Sequence, residues 1–454
     1  MDLPLNISAL QDFTLQNFAK KKCLSDEGTS LTFELFWNIV GIKSKEFHQQ
    51  SYKAPIAIFA ENSISTLIDF FAIWKAGGVV VPLNPKLSHS QKEKILEKIR
   101  PWRAIESMEN QVNRFEKSVC LPDEVDLLIA TSGTTGFPKL VALSIANFMW
   151  SAKGSSENIP VDPNDNWLIS LPLFHVGGMS IIFRTMLAGG NAIISPKILD
   201  ADFIDQNRIT HFSLVATQLA HFIQTKVPLN KETKAILLGG SKIPQVLIQK
   251  SIELNLPIHT SYGCSEMASQ VCTTSKGATM RELMTAGKIL AGRQVKIDQD
   301  GRIQLNGKTK FLGYWHNHEL LKPFDEEGWF TTNDLGKFDK NRMLKVIGRL
   351  DRMFISGGEN IHPEQIEQAL INIVGITNAL VIDMPSETYG SRPVAFLQRQ
   401  KNYSDPDLRK LLSENLMPFQ IPDVFLDWPS QEFSSKPSLD QFRRIAQKKI
   451  SIYN

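Results

Sequence analysis

Cysteine is scarce in this sequence. Its 454 residues include only four, Cys23, Cys120, Cys264 and Cys272, and no two of them form a C-x-x-C pair. The spacing gives no regular disulfide framework. A reduced, cytoplasmic setting is the simplest expectation from this cysteine usage.

Long apolar runs and an excess of charge of one sign are also missing. No stretch reaches the roughly 18 apolar residues that a membrane helix needs, and residues 1–6 lack the features of a signal peptide. Basic and acidic residues number 50 and 47, which leaves a formal charge of +3. The longest basic run, Lys20–Lys22, is too short to mark a nucleic-acid surface. We therefore expect no integral membrane segment and no nucleic-acid partner.

The first informative pattern lies within residues 55–85. An apolar run from Ile56 to Ala60 suits a strand that is buried on both faces. Helical apolar spacing follows from Ser63 to Ala76, and Gly77-Gly78 ends that helix where a left-handed cap is expected. Val79–Val81 is a second strand. This βαβ unit predicts a parallel sheet covered by helices.

The same alternation continues downstream and then changes. Further strands are predicted at residues 127–130, 192–194, 236–238 and 257–260. After about residue 285, shorter strands with Gly and Asp turns, as in Val295–Leu305, predict a small antiparallel, barrel-like part.

Beyond Arg349 the pattern is that of a separate small α+β unit. A hairpin is predicted around residues 353–358, a helix opening at Pro363, strands at 379–384 and 394–397, and a helix at 407–416. The predicted fold class is therefore α/β. A large N-terminal domain, residues 1–349, has parallel and mixed sheets covered by helices plus the barrel-like part, and a small mobile α+β domain spans residues 350–454.

A polar loop carries the strongest functional signal. It follows the apolar run that ends at Ala130 and reads Thr131-Ser132-Gly133-Thr134-Thr135-Gly136-Phe137-Pro138-Lys139. Two glycines let the backbone turn sharply and present N–H groups to phosphate oxygens, while hydroxyls and the lysine add donors and a positive charge. The G-x-x-G-x-x-K spacing differs from a Walker A loop, which disfavours a P-loop NTPase.

This loop resembles the phosphate-binding signature of the adenylate-forming superfamily, which includes acyl-CoA synthetases, firefly-type luciferases and peptide-synthetase adenylation domains. Further motifs follow in that superfamily's order, so the resemblance covers nearly the whole chain. It implies that the loop binds the phosphates of ATP. The loop residues concerned are Thr131, Ser132, Gly133, Thr134, Thr135, Gly136 and Lys139.

A second motif, Ser261–Glu266, resembles the superfamily's Y-G-x-T-E segment. The resemblance implies that Tyr262 stacks on adenine. It also implies that Glu266 acts in catalysis by holding Mg²⁺ on the triphosphate, since a hard cation prefers carboxylate oxygen. Ser261, Gly263 and Ser265 are assigned to the same nucleotide site, with Ser265 standing where Thr is usual.

Three more segments complete the implied nucleotide site. Gly239 and Gly240 resemble the segment that lies against adenine, because bare backbone admits a flat ligand. Asp334 resembles the aspartate that accepts hydrogen bonds from both ribose hydroxyls. Arg349 is implied to reach the ribose and phosphates, and Asp351 resembles the hinge about which the small domain rotates.

The C-terminal motifs are implied to serve thiol binding and catalysis. Ser356, Gly357 and Gly358 resemble the hairpin tip that lines the thiol tunnel for coenzyme A. Lys436 resembles the lysine that bridges the attacking carboxylate and the α-phosphate, where it offsets charge in the transition state. The residues on either side of Lys436 are Ser and Pro, which departs from the usual S-G-K pattern.

The segment Leu171–Met179 supplies the implied acid site. Within the superfamily it is most similar to the o-succinylbenzoate–CoA ligases of menaquinone biosynthesis, as are the short chain and Ile355–Pro363. His175 is implied to gate the acyl pocket and serve catalysis, and Gly178 to line that pocket. Arg184 is the expected partner of the substrate's second carboxylate; packing at a helix edge is the alternative.

The expected activity is ATP-dependent ligation of an acid to a thiol. A carboxylate attacks the α-phosphate to give an acyl-adenylate, and the thiolate of coenzyme A then attacks the acyl carbon. ATP, Mg²⁺, coenzyme A and a small carboxylic acid are the implied partners. Three alternatives stay open: a ligase for another aryl or medium-chain acid, a unit that loads a carrier-protein thiol, and an inactive nucleotide-binding protein. The oligomeric state is open too, a homo-oligomer included.

Overall fold

The computed structural model describes most of the chain. The described residues are 3–47, 53–105, 113–114, 120–131, 138–196, 200–225, 227, 229, 231–429 and 439–453. Within these ranges, every helix is too short or too polar to traverse a membrane.

Strands in the described residues number 26 and form five sheets. They are β1 (Lys22–Ser25), β2 (Ser30–Thr32), β3 (Pro55–Phe59), β4 (Val79–Leu83), β5 (Arg103–Ile105), β6 (Asn113–Arg114), β7 (Leu127–Thr131), β8 (Lys139–Leu143), β9 (Asn166–Leu168), β10 (Asn191–Ile193), β11 (His211–Leu214), β12 (Ala235–Leu238), β13 (Ile258–Cys264), β14 (Ser269–Thr273), β15 (Lys288–Ile289), β16 (Arg293–Ile297), β17 (Arg302–Gly307), β18 (Gly313–His316), β19 (Glu319–Leu321), β20 (Phe330–Phe338), β21 (Leu344–Arg349), β22 (Phe354–Ser356), β23 (Glu359–Ile361), β24 (Ile376–Ser386), β25 (Gly390–Arg399) and β26 (Val424–Asp427).

Helices connect most of these strands. They are α1 (Ile7–Phe18), α2 (Phe33–Ser44), α3 (Ile64–Lys75), α4 (His89–Ile99), α5 (Ile145–Ser156), α6 (Val176–Ala188), α7 (Ala201–Gln206), α8 (Ala216–Gln224), α9 (Gln245–Glu253), α10 (Met280–Leu283), α11 (Pro363–Ile371), α12 (Asp405–Ser413) and α13 (Leu439–Tyr453).

Two large mixed sheets build the first part of the chain. One has the order β15-β14-β13-β12-β11-β9-β10-β1-β2, and the other has the order β19-β18-β8-β7-β4-β3-β5-β6. The central strands of both sheets pair in parallel, and antiparallel strands lie at the edges. The predicted parallel and mixed sheets are thus confirmed.

Each large sheet is covered on both faces. In β3, Ile56 and Ile58 belong to the largest core, which also contains aromatic side chains of α2, α3, α5 and α6. Ala57 and Phe59 alternate with them and pack in a second core with α4. Burial on both faces explains why this strand is a continuous apolar run.

The predicted βαβ unit is present as β3-α3-β4. Ser63 caps the start of α3, where its hydroxyl accepts a hydrogen bond from the Thr66 backbone N–H at 3.1 Å. Gly77 has φ +81° just after the helix, which is the left-handed conformation expected there. The local capping residues therefore agree with the hydrophobic pattern.

Several element boundaries differ from the sequence prediction, and two of them have a clear local cause. The strand predicted to end at residue 260 continues to Cys264, because β13 leaves its parallel partner β12 and pairs antiparallel with β14. The helix predicted to begin at residue 407 begins at Asp405, because the Ser404 hydroxyl caps it and Pro406 fits its first turn.

Separate small sheets follow the two large ones. The predicted antiparallel part is an open four-stranded sheet, β16-β17-β20-β21, and the last residues form the pair β22-β23 and the sheet β24-β25-β26. Among the described strands, no sheet joins residues before 350 to residues after it. The domain boundary at this point and the rotation about Asp351 stay predictions.

One buried histidine couples this fold to pH. His211 on β11 is fully buried and stacks on Trp167, with ring centroids 4.9 Å apart. Its Nε2 lies 3.1 Å from the carbonyl oxygen of Pro160, which can only accept. Burial lowers the pKa of His211 to about 4, although the nearby Asp165 carboxylate acts in the opposite direction.

We expect the folding stability to fall as the pH decreases from about 6.5 to about 4. In this window the unfolded chain binds a proton at His211 that the folded chain does not bind, so stability present at neutral pH is lost, up to about 3 kcal/mol. His211→Gln should reduce the pH dependence of the thermal unfolding midpoint. The exposed control His316→Gln should keep the wild-type dependence, and equal slopes for all three proteins would contradict the assignment.

Candidate active site

A cleft of about 1670 Å³ lies between the large sheets and the C-terminal elements. Arg352, Glu364 and Glu367 line it from the C-terminal side. Six of the predicted nucleotide residues line it as well, namely Gly240, Ser261, Tyr262, Gly263, Asp334 and Arg349. Residues from four distant segments of the sequence therefore meet in one cavity.

Tyr262 and Arg349 both contact Asp334. The Tyr262 hydroxyl donates to Oδ2 of Asp334 at 2.6 Å, and Nη1 of Arg349 donates to Oδ1 at 3.1 Å. Burial and the neighbouring acidic groups raise the pKa of Tyr262 well above its ordinary value. The phenol therefore stays protonated and remains a donor to the carboxylate.

Arg349 also binds Asp351 through two nitrogens. Nε lies 2.9 Å from Oδ1 of Asp351 and Nη2 lies 2.8 Å from Oδ2. The hydrogen bond to Asp351 is the main reason why the pKa of Arg349 is raised. The arginine thus links the predicted ribose aspartate to the predicted hinge aspartate.

Two glycines follow β12, and the second of them, Gly240, lines the cleft. Gly240 has φ +80°, a conformation that favours glycine. A Cβ on Gly239 would lie 3.1 Å from Oγ of Ser261, and that hydroxyl donates to the Leu238 carbonyl oxygen at 2.7 Å. The carboxyl ends of β12 and β13 are therefore held close together.

Gly263 allows the closest backbone approach of the site. A Cβ at this position would lie 1.9 Å from the carbonyl oxygen of Ser269, which is too short for any side chain. Gly263 pairs with Gln270 across the β13-β14 ladder. Glycine at 263 is therefore what lets β14 lie directly against the predicted nucleotide motif.

Glu266 is linked through Tyr314 to Lys139, the last residue of the predicted phosphate loop. The Tyr314 hydroxyl donates to Oε1 of Glu266 at 2.7 Å, and Nζ of Lys139 lies 5.0 Å from the centroid of the Tyr314 ring. Thr131 and Lys139 pair directly across β7 and β8. The two strands thus fix both ends of the loop, while Ser132, Gly133, Thr134, Thr135 and Gly136 lie outside the described residues, as does Lys436.

The predicted acid residues lie along α6. His175 is the exposed residue that precedes the helix, and its ring centroid is 4.6 Å from that of Phe174. A Cβ on Gly178 would lie 2.2 Å from the Pro172 carbonyl oxygen, so this glycine permits close packing of the helix start. None of the three predicted acid residues is among the residues that line the described cleft.

Arg184 is buried rather than located at a helix edge. It is 4% exposed and lies over the Trp167 ring, 5.2 Å from its centroid. Its Nη2 donates to Oε1 of Gln270 at 2.7 Å, and its Nε has no hydrogen-bond partner among the described residues. Burial, and to a smaller extent the charge of Arg293, lowers the pKa of Arg184 to about 9, so it is still protonated at neutral pH.

The predicted coenzyme A residues form the turn between β22 and β23. Ser356 is buried, and Nη1 of Arg392 donates to its hydroxyl at 3.3 Å. Gly357 has φ +59° and its N–H donates to the Tyr389 carbonyl oxygen at 3.0 Å. Gly358 has φ +88°. These contacts lie within the C-terminal elements and not in the cleft.

Several site neighbours escaped the sequence prediction. Tyr314 reaches Glu266 only because β18 pairs with β8, with Tyr314 opposite Val141. Gln270 and Trp167 contact Arg184 from strands that are distant in sequence. No local motif marks these three residues, whereas Lys242 of the cleft lies two residues after Gly240 and was within reach of the sequence.

Comparison with protein families and curated proteins gives a consistent result. A model of the AMP-binding enzyme family matches residues 13–118 and 101–315. A 2-succinylbenzoate–CoA ligase from Bacillus cytotoxicus is 30% identical over 92% of this chain and 94% of its own length. The enzyme of that name from Salmonella typhimurium is 30% identical over 83% of both chains.

Solved structures are similar over the same extent. An o-succinylbenzoate CoA synthetase from Bacillus subtilis, in complex with the acyl-adenylate intermediate OSB-AMP, superposes with a TM-score of 0.86 at 27% identity, covering 98% of this chain and 99% of that one. The Bacillus subtilis enzyme in complex with ATP and magnesium ion gives a TM-score of 0.85 at 27% identity, covering 96% and 99%. The predicted α/β fold is confirmed by this similarity.

Proposed function

This chain belongs to the AMP-binding enzyme family, and from that premise we propose that it is an AMP-forming acid–thiol ligase. It activates a carboxylic acid with ATP and transfers the acyl group to coenzyme A. We propose o-succinylbenzoate as the acid, the substrate for which the similar curated enzymes are named.

The cleft supports the nucleotide part of this proposal. Asp334 is held by Tyr262 and Arg349, and each carboxylate oxygen has a second lone pair for a ribose hydroxyl. Arg349 carries a positive charge at the same place, where it can approach the phosphates. The Tyr262 ring and the bare backbone at Gly240 offer flat surfaces for adenine.

Glu266 fits the magnesium ion that accompanies ATP in a similar enzyme structure. Mg²⁺ is usually held by one or two carboxylates together with phosphate oxygens, and Glu266 is such a carboxylate near the end of the phosphate loop. When bound, the ion supplies positive charge to the triphosphate. Tyr314 orients the Glu266 carboxylate, and Lys139 adds a second positive charge.

Arg184 is the observation that carries the choice of substrate. A buried guanidinium costs free energy unless it is compensated, and among the described residues its hydrogen-bond acceptor is the neutral amide of Gln270. A substrate with a second carboxylate would supply the missing negative charge. An acid with a single carboxylate would leave the Arg184 charge without a counter-ion.

The reaction then requires groups at the α-phosphate and at the thiol. We propose that the residue 131–139 loop and Lys436 bind the phosphates while the carboxylate attacks, and that pyrophosphate leaves. The thiolate of coenzyme A next attacks the acyl carbon and AMP leaves. Ser356, Gly357 and Gly358 are proposed for the thiol channel, and Asp351 for the rotation that exchanges the two arrangements.

A substrate assay tests this function directly. With ATP and Mg²⁺, o-succinylbenzoate should drive ATP–pyrophosphate exchange without coenzyme A, and continuous AMP release should require coenzyme A. Another acid that outperforms o-succinylbenzoate would replace the substrate proposal. Absence of exchange with every acid would favour an inactive nucleotide-binding protein.

Asp334→Ala should weaken ATP binding by roughly 30- to 150-fold in Kd. The ribose loses its charged acceptor, at about 2–3 kcal/mol, and Tyr262 and Arg349 lose their shared partner. Calorimetric titration with ATP measures the change. Asp123→Ala, at an exposed position before β7, is the control, and an unchanged ATP affinity in Asp334→Ala would contradict the nucleotide assignment.

Arg184→Ala should raise the KM for o-succinylbenzoate by roughly 10- to 150-fold and leave the KM for ATP nearly unchanged, because hydrogen bonds to a charged group are lost. Discrimination against acids that lack the second carboxylate should also fall. Arg184→Met removes the charge but keeps most of the volume, so it separates this effect from loss of packing. Equal losses for mono- and dicarboxylic acids would show that Arg184 only packs.

A further inference from the structure

Gln270 belongs to a directed chain of buried hydrogen bonds that begins at Arg184 and ends at the Cys272 carbonyl oxygen. Arginine can only donate, so the acceptor 2.7 Å from its Nη2 must be the Gln270 side-chain oxygen Oε1. The amide nitrogen of Gln270 then donates to Oγ1 of Thr273 at 2.6 Å, and that hydroxyl donates to the Cys272 carbonyl oxygen at 2.8 Å. The orientation of the amide is therefore determined on both sides.

The Gln270 backbone meets a second buried cation. Its carbonyl oxygen accepts from Nε of Arg293 at 2.9 Å. The other hydrogen bonds of Arg293 go to oxygens of Trp150, Ser151 and Ala291. Two buried positive charges thus approach Gln270 from different sides, and their hydrogen-bond acceptors among the described residues are all neutral.

The position of Gln270 connects Arg184 to the nucleotide motif. Gln270 lies opposite Gly263 in the β13-β14 ladder. Gly263 directly follows Tyr262, which lines the cleft. Its neighbour Ser269 approaches Ser180 of α6, with 3.3 Å between their hydroxyl oxygens. Strand β14 therefore runs between the predicted nucleotide motif on β13 and the face of α6 that carries Ser180 and Arg184.

We propose that Gln270 is the positioning residue that sets the preference for a dicarboxylic acid. It holds the Arg184 guanidinium in one orientation and, being neutral, leaves its charge available to the second carboxylate of the substrate. A glutamate at this position would have the same shape but would form an internal ion pair with Arg184. The inference rests on the proposed function, because it concerns selection among acids.

Gln270→Glu tests the role of neutrality at this position. The probes are o-succinylbenzoate and two monoacids that each lack one of its carboxylates, 4-oxo-4-phenylbutanoate and 2-propanoylbenzoate. The ratio of kcat/KM for the diacid to that for the better monoacid should fall roughly 10- to 100-fold, mainly through the KM for the diacid. The KM for ATP should stay within about twofold, because β13 keeps its contacts.

Two further variants complete the design. Gln270→Met keeps the length of the side chain but cannot accept from Arg184, so the KM for the diacid should rise several-fold while Arg184 keeps its charge. Gln294→Glu makes the same charge change at an exposed position of β16 and should leave the ratio unchanged. If Gln270→Glu fails to fold, the KM of Gln270→Met decides the outcome.

An unchanged ratio in Gln270→Glu, or an unchanged diacid KM in Gln270→Met, would overturn the inference. Failure of the proposed function is distinguished by the wild-type enzyme, which would then not prefer o-succinylbenzoate. The same variants would in that case be measured with the preferred acid and its analogue lacking the second anionic group. A preferred acid with a single carboxylate would overturn both the proposed substrate and the role of Gln270.

Discussion

The approach of β14 to β13 at Gly263 is the contact on which the rest of the site depends. No side chain fits between Gly263 and the Ser269 carbonyl oxygen. Because the strands meet there, β13 turns from a parallel to an antiparallel partner, with Tyr262 in the cleft and Gln270 across the ladder from Gly263. The position of Tyr262 in the cleft and the environment of Arg184 are therefore set by one pair of strands.

The buried or half-buried arginines near these two strands have different partners in the cleft and around Gln270. In the cleft, Arg349 lies between the carboxylates of Asp334 and Asp351, so positive and negative groups compensate each other. Around Gln270, Arg184 and Arg293 have only neutral hydrogen-bond acceptors among the described residues. Arg349 therefore has anionic partners within the protein, whereas the only acceptor of Arg184 among the described residues is neutral, so an anion beside Arg184 would recover electrostatic free energy.

Local sequence was sufficient for elements whose determinants are close together. The β3-α3-β4 unit was predictable because apolar runs, the Ser63 cap and Gly77 all lie within about thirty residues. Six of the cleft residues were predictable from short motifs, although their roles stay predictions. Contacts such as Tyr314 with Glu266 and Gln270 with Arg184 were not, because they depend on which strands become neighbours. The sequence around Arg184 shows only one charge in an apolar helix. It does not reveal that this arginine is buried without an anionic partner among the described residues.

Separation of the residues proposed for the acid from those proposed for the nucleotide has an evolutionary consequence. Arg184 and Gln270 belong to α6 and β14, and neither lines the described cleft that holds Asp334 and Tyr262. With the proposed roles, exchange of these two side chains would alter the charge offered to the acid and leave the cleft residues in place. A duplicated gene could therefore acquire a new acid substrate in a few substitutions, and every intermediate enzyme would still bind ATP.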